Sequence, residues 1–228
     1  MHAADVQKNL LTSADVETIF RRFEQDGRPR PWRVRVKSDA DAFRALVGCL
    51  LSAQSRDDNT AKAKNALFKL ADTPGGILAL DSEKIARAIK PAGLYNVKTR
   101  NLKMLCAFLI ERHAEVVPRD RAGLMKLPGI GRKCADIMLS FSFGEAVIAV
   151  DTHVHRVCNR IGLARGKTEA ETARSLEARA PDWAKADGHL WLLVFGKQTC
   201  GARAPKCSAC KLNDLCLSYR QTRIESVA

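Results

Sequence analysis

Apolar side chains recur at intervals of three and four residues along almost the whole chain, and that period leaves little choice of architecture. Phe43, Leu46, Val47, Leu50 and Leu51 trace one stripe, and Leu102, Leu105, Cys106, Leu109 and Ile110 trace another. Cys134, Ile137, Met138 and Phe141 continue the pattern in a third segment. Such spacing gathers the apolar groups on one face of an α-helix. Breakers separate the segments at Thr73-Pro74-Gly75-Gly76, Pro91-Ala92-Gly93, Pro118 and Pro128-Gly129. Thr12 with Asp15, and Thr168 with Glu171, have the spacing of a capping box at a helix start. Residues 33–37 and 147–150 are strand-like but short enough to be extended connectors. The pattern predicts an all-α protein of about ten helices. Residues 1–8 and the tail after Tyr219 are expected to be loosely held.

The charge balance narrows the partner. Thirty-eight Lys and Arg against twenty-five Asp and Glu give a net charge of +13 in 228 residues. A field of that sign favours polyanions, namely DNA, RNA or an anionic membrane surface, without choosing among them. No apolar run approaches the roughly 18 residues of a membrane span. The N-terminus lacks the basic-then-apolar block of a signal peptide. These features predict a reducing cytosol, where eight cysteines do not make a disulfide framework. Cys49, Cys106, Cys134 and Cys158 lie singly inside helical patterns and read as small buried hydrophobes.

Three motifs carry chemistry. The first is Leu127-Pro128-Gly129-Ile130-Gly131-Arg132-Lys133, set between two helical patterns. Its glycines permit positive φ and close approach of a ligand, while the free amides of the following helix point outward. Such a turn, with Arg132 and Lys133 behind it, can hold a DNA phosphate without reading any base. A plain helix-helix turn also favours Pro and Gly. Lys133 falls in the first turn of the second helix, where the dipole disfavours a cation. A neutral amine there is a nucleophile able to form a Schiff base; the plainer reading is a phosphate contact.

The second motif is Val147-Ile148-Ala149-Val150-Asp151-Thr152-His153-Val154-His155. An apolar lead delivers Asp151 just before a helical run, so its carboxylate can cap the amide of His153 or Val154 and can also face a ligand. His153 and His155 are two apart and cannot share a metal on one helix face. They read as polar surface or DNA contacts.

The third motif places Cys200, Cys207, Cys210 and Cys216 within seventeen residues. Four thiols so crowded point to a metal centre. Zinc commonly takes two short Cys knuckles, and this loop has only one. The wider, uneven spacing suits a [4Fe–4S] cluster better, with zinc as the alternative. Arg203, Lys206 and Lys211 make the loop's edge basic.

In this order the three motifs closely resemble the endonuclease III family of helix-hairpin-helix DNA glycosylases, over about Ala42 to Cys216. Leu50-Leu51-Ser52-Ala53-Gln54 and Gly93-Leu94-Tyr95-Asn96 look like the same family. The resemblance implies a bacterial base excision repair enzyme with a two-domain all-α fold and DNA held in the cleft between the domains. It implies a six-helix barrel over 36–146, with the helix-hairpin-helix at about 119–142. Residues 1–35 plus 147–228 would form an iron–sulfur domain whose [4Fe–4S] loop is 200–216. Carried over residue by residue, Lys133 matches the family's nucleophile and Asp151 its essential carboxylate. Gln54 matches the residue that fills the gap left by an extruded base, and Leu94 the wedge into the opposite strand. Gly129, Gly131 and Arg132 would contact the backbone. The implied activity is removal of oxidised pyrimidines from duplex DNA, followed by β-elimination at the abasic site. The implied partner is damaged or abasic double-stranded DNA, bound by a monomer in the cytoplasm, at the nucleoid. Two alternatives remain: an adenine-mismatch-type monofunctional glycosylase, which usually lacks a lysine at this position, and a catalytically silent DNA-binding iron–sulfur protein.

Overall fold

Residues 10–27 and 36–225 are described by the computed structural model, with side chains as far as Arg223. The expectations for residues 1–8 and 33–35 fall outside that range. Among the described residues twelve α-helices form and no strand does. The chain divides into two compact units, one of residues 33–144 and one of residues 1–32 with 145–228.

In the first unit α2 runs Asp39–Ser52, α3 Asp57–Phe68, α4 Pro74–Ala79 and α5 Ser82–Ile89. α1 (Ser13–Gln25) belongs to the other unit. A 3-10 turn, Lys90–Ala92, leads into the long α6 (Tyr95–His113). α7 (Arg121–Lys126) and α8 (Arg132–Ile137) follow, and a π-helical turn, Met138–Phe143, ends the unit. The stripes read from sequence are the core. Phe43, Leu46, Val47, Leu50 and Leu51 are buried, as are Leu102, Leu105, Cys106 and Leu109, while Ile110 is half-buried. Each such aliphatic or aromatic side chain contributes about 1.5–3 kcal/mol by leaving water. The third stripe differs from expectation. Cys134, Ile137 and Phe141 are only half-buried, and the buried set is Ala135 and Asp136 in α8 and, where the π turn changes the register, Met138, Leu139 and Ser140.

Two cysteines depart from the sequence reading. Cys49 of α2 and Cys134 of α8 are half-buried and face each other, their Cα atoms 5.9 Å apart, rather than lying singly as buried hydrophobes. Cys106 and Cys158 are buried free thiols, as expected.

The second unit is discontinuous in sequence. α9 (Thr152–Ile161), α10 (Glu169–Arg179), α11 (Asp182–Gln198) and α12 (Leu217–Glu225) pack with α1. After Tyr219 the helix continues to Glu225. Phe20 and Phe23 of α1 join the core with Val154, Val157, Ile161, Leu192 and Phe195, and Phe23 meets Phe195 edge-on at 5.3 Å. Polar contacts fix the same C-terminal end of α1. Arg22 forks onto Asp214 at 2.6 and 2.7 Å, and Lys211 pairs with Asp26 and donates to Arg22 O at 3.0 Å. The cysteine-rich loop and α1 are thereby one structural piece.

Both predicted caps form. Thr12 and Asp15 bond reciprocally in a full capping box. Thr168 accepts from Glu171 N, but the Glu171 carboxylate reaches one residue further back, accepting from Lys167 N at 2.7 Å.

Candidate functional site

The hairpin between α7 and α8 is built from a cap, a left-handed glycine and a buried carboxylate. Asp120 caps α7, its carboxylate accepting from Gly123 N at 2.8 Å. Gly129 has φ +80, and a Cβ there would lie 3.0 Å from the Asn101 side chain, so the turn itself requires glycine. Gly131 is different. Its φ of −91 is open to any residue, and an added Cβ would meet nothing within 4 Å. It is exposed and gives α8 no side-chain cap bond. The protein's own packing does not call for glycine there.

Lys133 follows in the first turn of α8 and is exposed. Arg132 is turned inward instead of being presented beside it. Its Nε lies 3.3 Å from Asp136 Oδ2, and only 19% of its side chain is exposed. Arg121 from α7 reaches the same carboxylate, Nε to Oδ1, at 2.7 Å. Arg132 thus has a partner inside the hairpin, through its Nε.

Asp151 caps α9. It accepts from Val154 N at 2.8 Å through Oδ1 and remains partly exposed. Its lead lies outside any helix and is buried at Ile148, Ala149 and Val150. Buried His189 of α11 fixes the lead through Nδ1, 2.8 Å from Ala149 O. Gly188 lies so close to Ile148 that a Cβ would come within 2.7 Å of its Cδ1. The two histidines after Asp151 are not free surface groups. His155 Nδ1 is 2.8 Å from Thr172 Oγ1 on α10, and His153 Nδ1 is 3.3 Å from Arg156 Nη2.

Gln54 and Leu94 share an unusual backbone. Both are exposed non-glycine residues with positive φ, 51 and 45 respectively. A left-handed residue with a side chain costs on the order of 1–2 kcal/mol, which the surroundings must offset. Leu94, 56% exposed, follows Gly93 at φ 68, so two successive residues turn the wrong way before α6 begins.

Cys200, Cys207, Cys210 and Cys216 line one cavity, together with Ile161, Phe195 and Leu212. Among the described residues no three metal-ligating side chains converge tightly enough to hold a single ion. Burial pushes the Cys210 and Cys216 thiols up, and the neighbouring cysteines push the same way: Cys200 and Cys207 on Cys210, Cys200 and Cys210 on Cys216. The sulfurs thus feel one another, and a positive centre among them would reverse that penalty. Donors already face them: Leu212 N lies 3.4 Å from Cys210 Sγ, and Arg160 Nη1 3.7 Å from Cys200 Sγ. Arg156 and Arg160 also bind the carbonyls of Cys200, Gly201 and Ala202. The all-sulfur donor set and these N–H groups fit an iron–sulfur cluster.

Residues 47–182 match the model for the HhH-GPD superfamily base excision DNA repair protein. Endonuclease III of Escherichia coli (strain K12) is 44% identical over 174 residues, 76% of this chain and 82% of its own length. Endonuclease III of Treponema pallidum (strain Nichols) is 41% identical over 212 residues, 91% of this chain and 97% of its own length. The chain belongs to the endonuclease III family. A structure of a trapped covalent intermediate between endonuclease III and DNA superposes with a TM-score of 0.83 at 34% identity. That match covers 94% of this chain and all of that one. As a family member this chain is a base excision repair enzyme with a helix-hairpin-helix fold. The matched segment holds the hairpin, Lys133 and Asp151, whereas the cysteine loop lies beyond it.

Endonuclease III motifs drew attention to the exposed residues, and sequence reasoning missed their buried supports. Asp136 sits where a helical pattern would let a charge face water. Lys98 is 4% exposed, and its Nζ donates to Leu51 O and to Ala92 O, each at 2.8 Å. One available signal was that Lys98 falls on the apolar side of its own helix, in line with Leu102, Leu105 and Leu109.

Proposed function

We propose that the chain is a bifunctional DNA glycosylase and AP lyase that removes oxidised pyrimidines from duplex DNA and cuts the strand by β-elimination, with Lys133 as nucleophile and Asp151 as carboxylate partner. The observation that carries the reading is Lys133 itself: an exposed amine at the start of α8, directly behind a turn whose Gly131 leaves open space. Phosphate held at that turn brings the sugar backbone to the amine.

A base inside a duplex is unreachable, so it must be extruded, which costs least where damage has weakened stacking or pairing. Gln54 fills the vacated space and Leu94 wedges the opposite strand. The Lys133 amine attacks C1′ as the C1′–N bond to the base breaks, and the base leaves with the bonding pair and a proton. Asp151 stabilises the positive charge that develops on the sugar and assists proton movement. The sugar ring then opens, the C1′–O4′ bond breaking and O4′ taking a proton, and the iminium so formed acidifies a C2′ proton. Loss of that proton expels the 3′ phosphate and nicks the strand. Water then releases Lys133.

Cys200, Cys207, Cys210 and Cys216 would hold a [4Fe–4S] cluster, which supplies cross-linking of the loop rather than chemistry on DNA. Arg22, Lys211 and Asp214 pass that rigidity to α1. The compact units support a barrel domain over 36–146 and a cluster domain of 1–35 plus 147–228. The enzyme would work as a monomer in the bacterial cytoplasm, at the nucleoid. Among the described residues no helix is long and apolar enough to cross a membrane.

The test is a duplex carrying one oxidised pyrimidine. Base release with a nick that leaves an unsaturated aldehyde on the 3′ end is expected. Base release that leaves the strand intact would refute the lyase half, and no release would refute the whole reading.

A further inference from the structure

One buried ammonium joins the two strained loops. Lys98 lies in the first turn of α6, and its Nζ sits 2.8 Å from Leu51 O and 2.8 Å from Ala92 O. Leu51 is in the last turn of α2, three residues before Gln54. Ala92 closes the 3-10 turn, two residues before Leu94. Carbonyls at helix ends lack partners within the helix, and buried ones must be satisfied. Lys98 satisfies two at once, from segments 47 and 6 residues away in sequence.

A charge is costly to bury, and an apolar side chain of the same length would serve packing alone. What the ammonium adds is a fixed distance between two carbonyls. Downstream of each carbonyl the chain enters a left-handed residue, Gln54 with φ 51 and Leu94 with φ 45. Such conformations persist only where the surroundings over-determine them. Both side chains are exposed at the far ends of these turns, while Lys98 itself is 4% exposed and out of reach of a ligand.

We propose that Lys98 is a positioning residue that sets the register between Gln54 and Leu94, so that the filler and the wedge enter the duplex as one unit when a base is extruded. This rests on the reading of Gln54 and Leu94 as the residues inserted into DNA. A filler and a wedge that act on the same base-pair step must be spaced for that step. Two independently mobile loops would spend binding energy on ordering themselves, whereas a tethered pair is already ordered. Lys98 touches no DNA in this role, so its removal should spare non-specific binding, which phosphate contacts govern.

The test compares binding of a duplex with a stable abasic-site analogue, flanked by a base whose fluorescence rises on unstacking, with binding of an intact duplex. Gln54→Ala and Leu94→Ala should each lower the specific-to-non-specific ratio by about tenfold, the contact of one buried side chain. Lys98→Met should lower it at least as much, blunt the unstacking signal and leave intact-duplex binding unchanged. Adding Leu94→Ala to Lys98→Met should cost less than the product of the two, the mark of residues acting together. Lys98→Gln keeps two N–H donors on a shorter arm and should fall between wild type and Lys98→Met. Should Lys98→Met not fold, Lys98→Gln decides by the same comparison with Leu94→Ala. A wild-type ratio in the folded Lys98 variant, or full additivity, overturns the role of Lys98 while Gln54 and Leu94 keep theirs. Wild-type ratios in Gln54→Ala and Leu94→Ala overturn the insertion reading, and this proposal falls with it.

Discussion

Asp136 accepts from Arg121 across the hairpin, Nε to Oδ1 at 2.7 Å, and Arg132 Nε lies 3.3 Å from its other oxygen. The carboxylate is 1% exposed and ties α7 to α8, the two arms that present the Pro128–Gly131 turn. Removing the charge strands two guanidinium groups around a buried amide. Asp136→Asn should cost about 3 kcal/mol, the lower end for breaking a buried pair because both arginines keep some access to water. Urea unfolding measures it, and DNA affinity should fall with it as the turn loosens. A variant as stable as wild type would show that the pair does not hold the hairpin.

Asp151 is both a helix cap and the proposed carboxylate, and the two roles separate on substitution. Asparagine caps about as well as aspartate, so Asp151→Asn should stay within about 1 kcal/mol of wild-type stability. Turnover should drop by about 10²-fold or more, since an amide cannot stabilise a developing cation. DNA binding should persist. Unfolding curves beside single-turnover rates decide; parallel losses of stability and activity would leave Asp151 a cap only.

How much of this was legible in sequence follows the range of the interaction. The stripes at 43–51 and 102–109, the hairpin and the Asp151 cap rest on neighbours within a few residues, and all appear as read. The register change after Ile137 was hidden, because nothing in Met138–Phe143 distinguishes a π turn from an α turn by period. Pairings across long separations were hidden too: Arg121 with Asp136, His155 with Thr172, and Cys49 with Cys134 at a separation of 85. Gln54 and Leu94 leave no compositional trace of positive φ, which is ordinarily signalled by glycine.

Burial lowers the pKa of Lys98 below its ordinary 10.5. Between the folded value and 10.5 the unfolded chain binds more protons than the native one, so stability attributable to Lys98 rises with pH through that window. Below the window folding bears the desolvation of the ammonium in full. Above it the neutral amine still has two N–H groups for two carbonyls. The stability of wild type relative to Lys98→Met should therefore increase from neutral pH towards 10.5 and then level. A flat or falling difference across that range would contradict the burial of a charged amine.

The cysteine loop should bind iron and sulfide with a broad brown visible absorption. Cys210→Ser should lose iron and weaken the docking of α1, read as faster proteolysis near Gln25, because Lys211 and Asp214 anchor that helix. A colourless protein carrying zinc would contradict the cluster.

The central claim is that Lys133 becomes covalently attached to the sugar, and borohydride captures that state directly by reducing the Schiff base. Wild-type protein incubated with an oxidised-pyrimidine duplex and borohydride should yield a stable protein–DNA adduct whose modified peptide contains Lys133. Lys133→Ala should yield none. A wild-type enzyme that nicks the duplex without trapping, or a Lys133→Ala variant that traps equally well, would contradict the account.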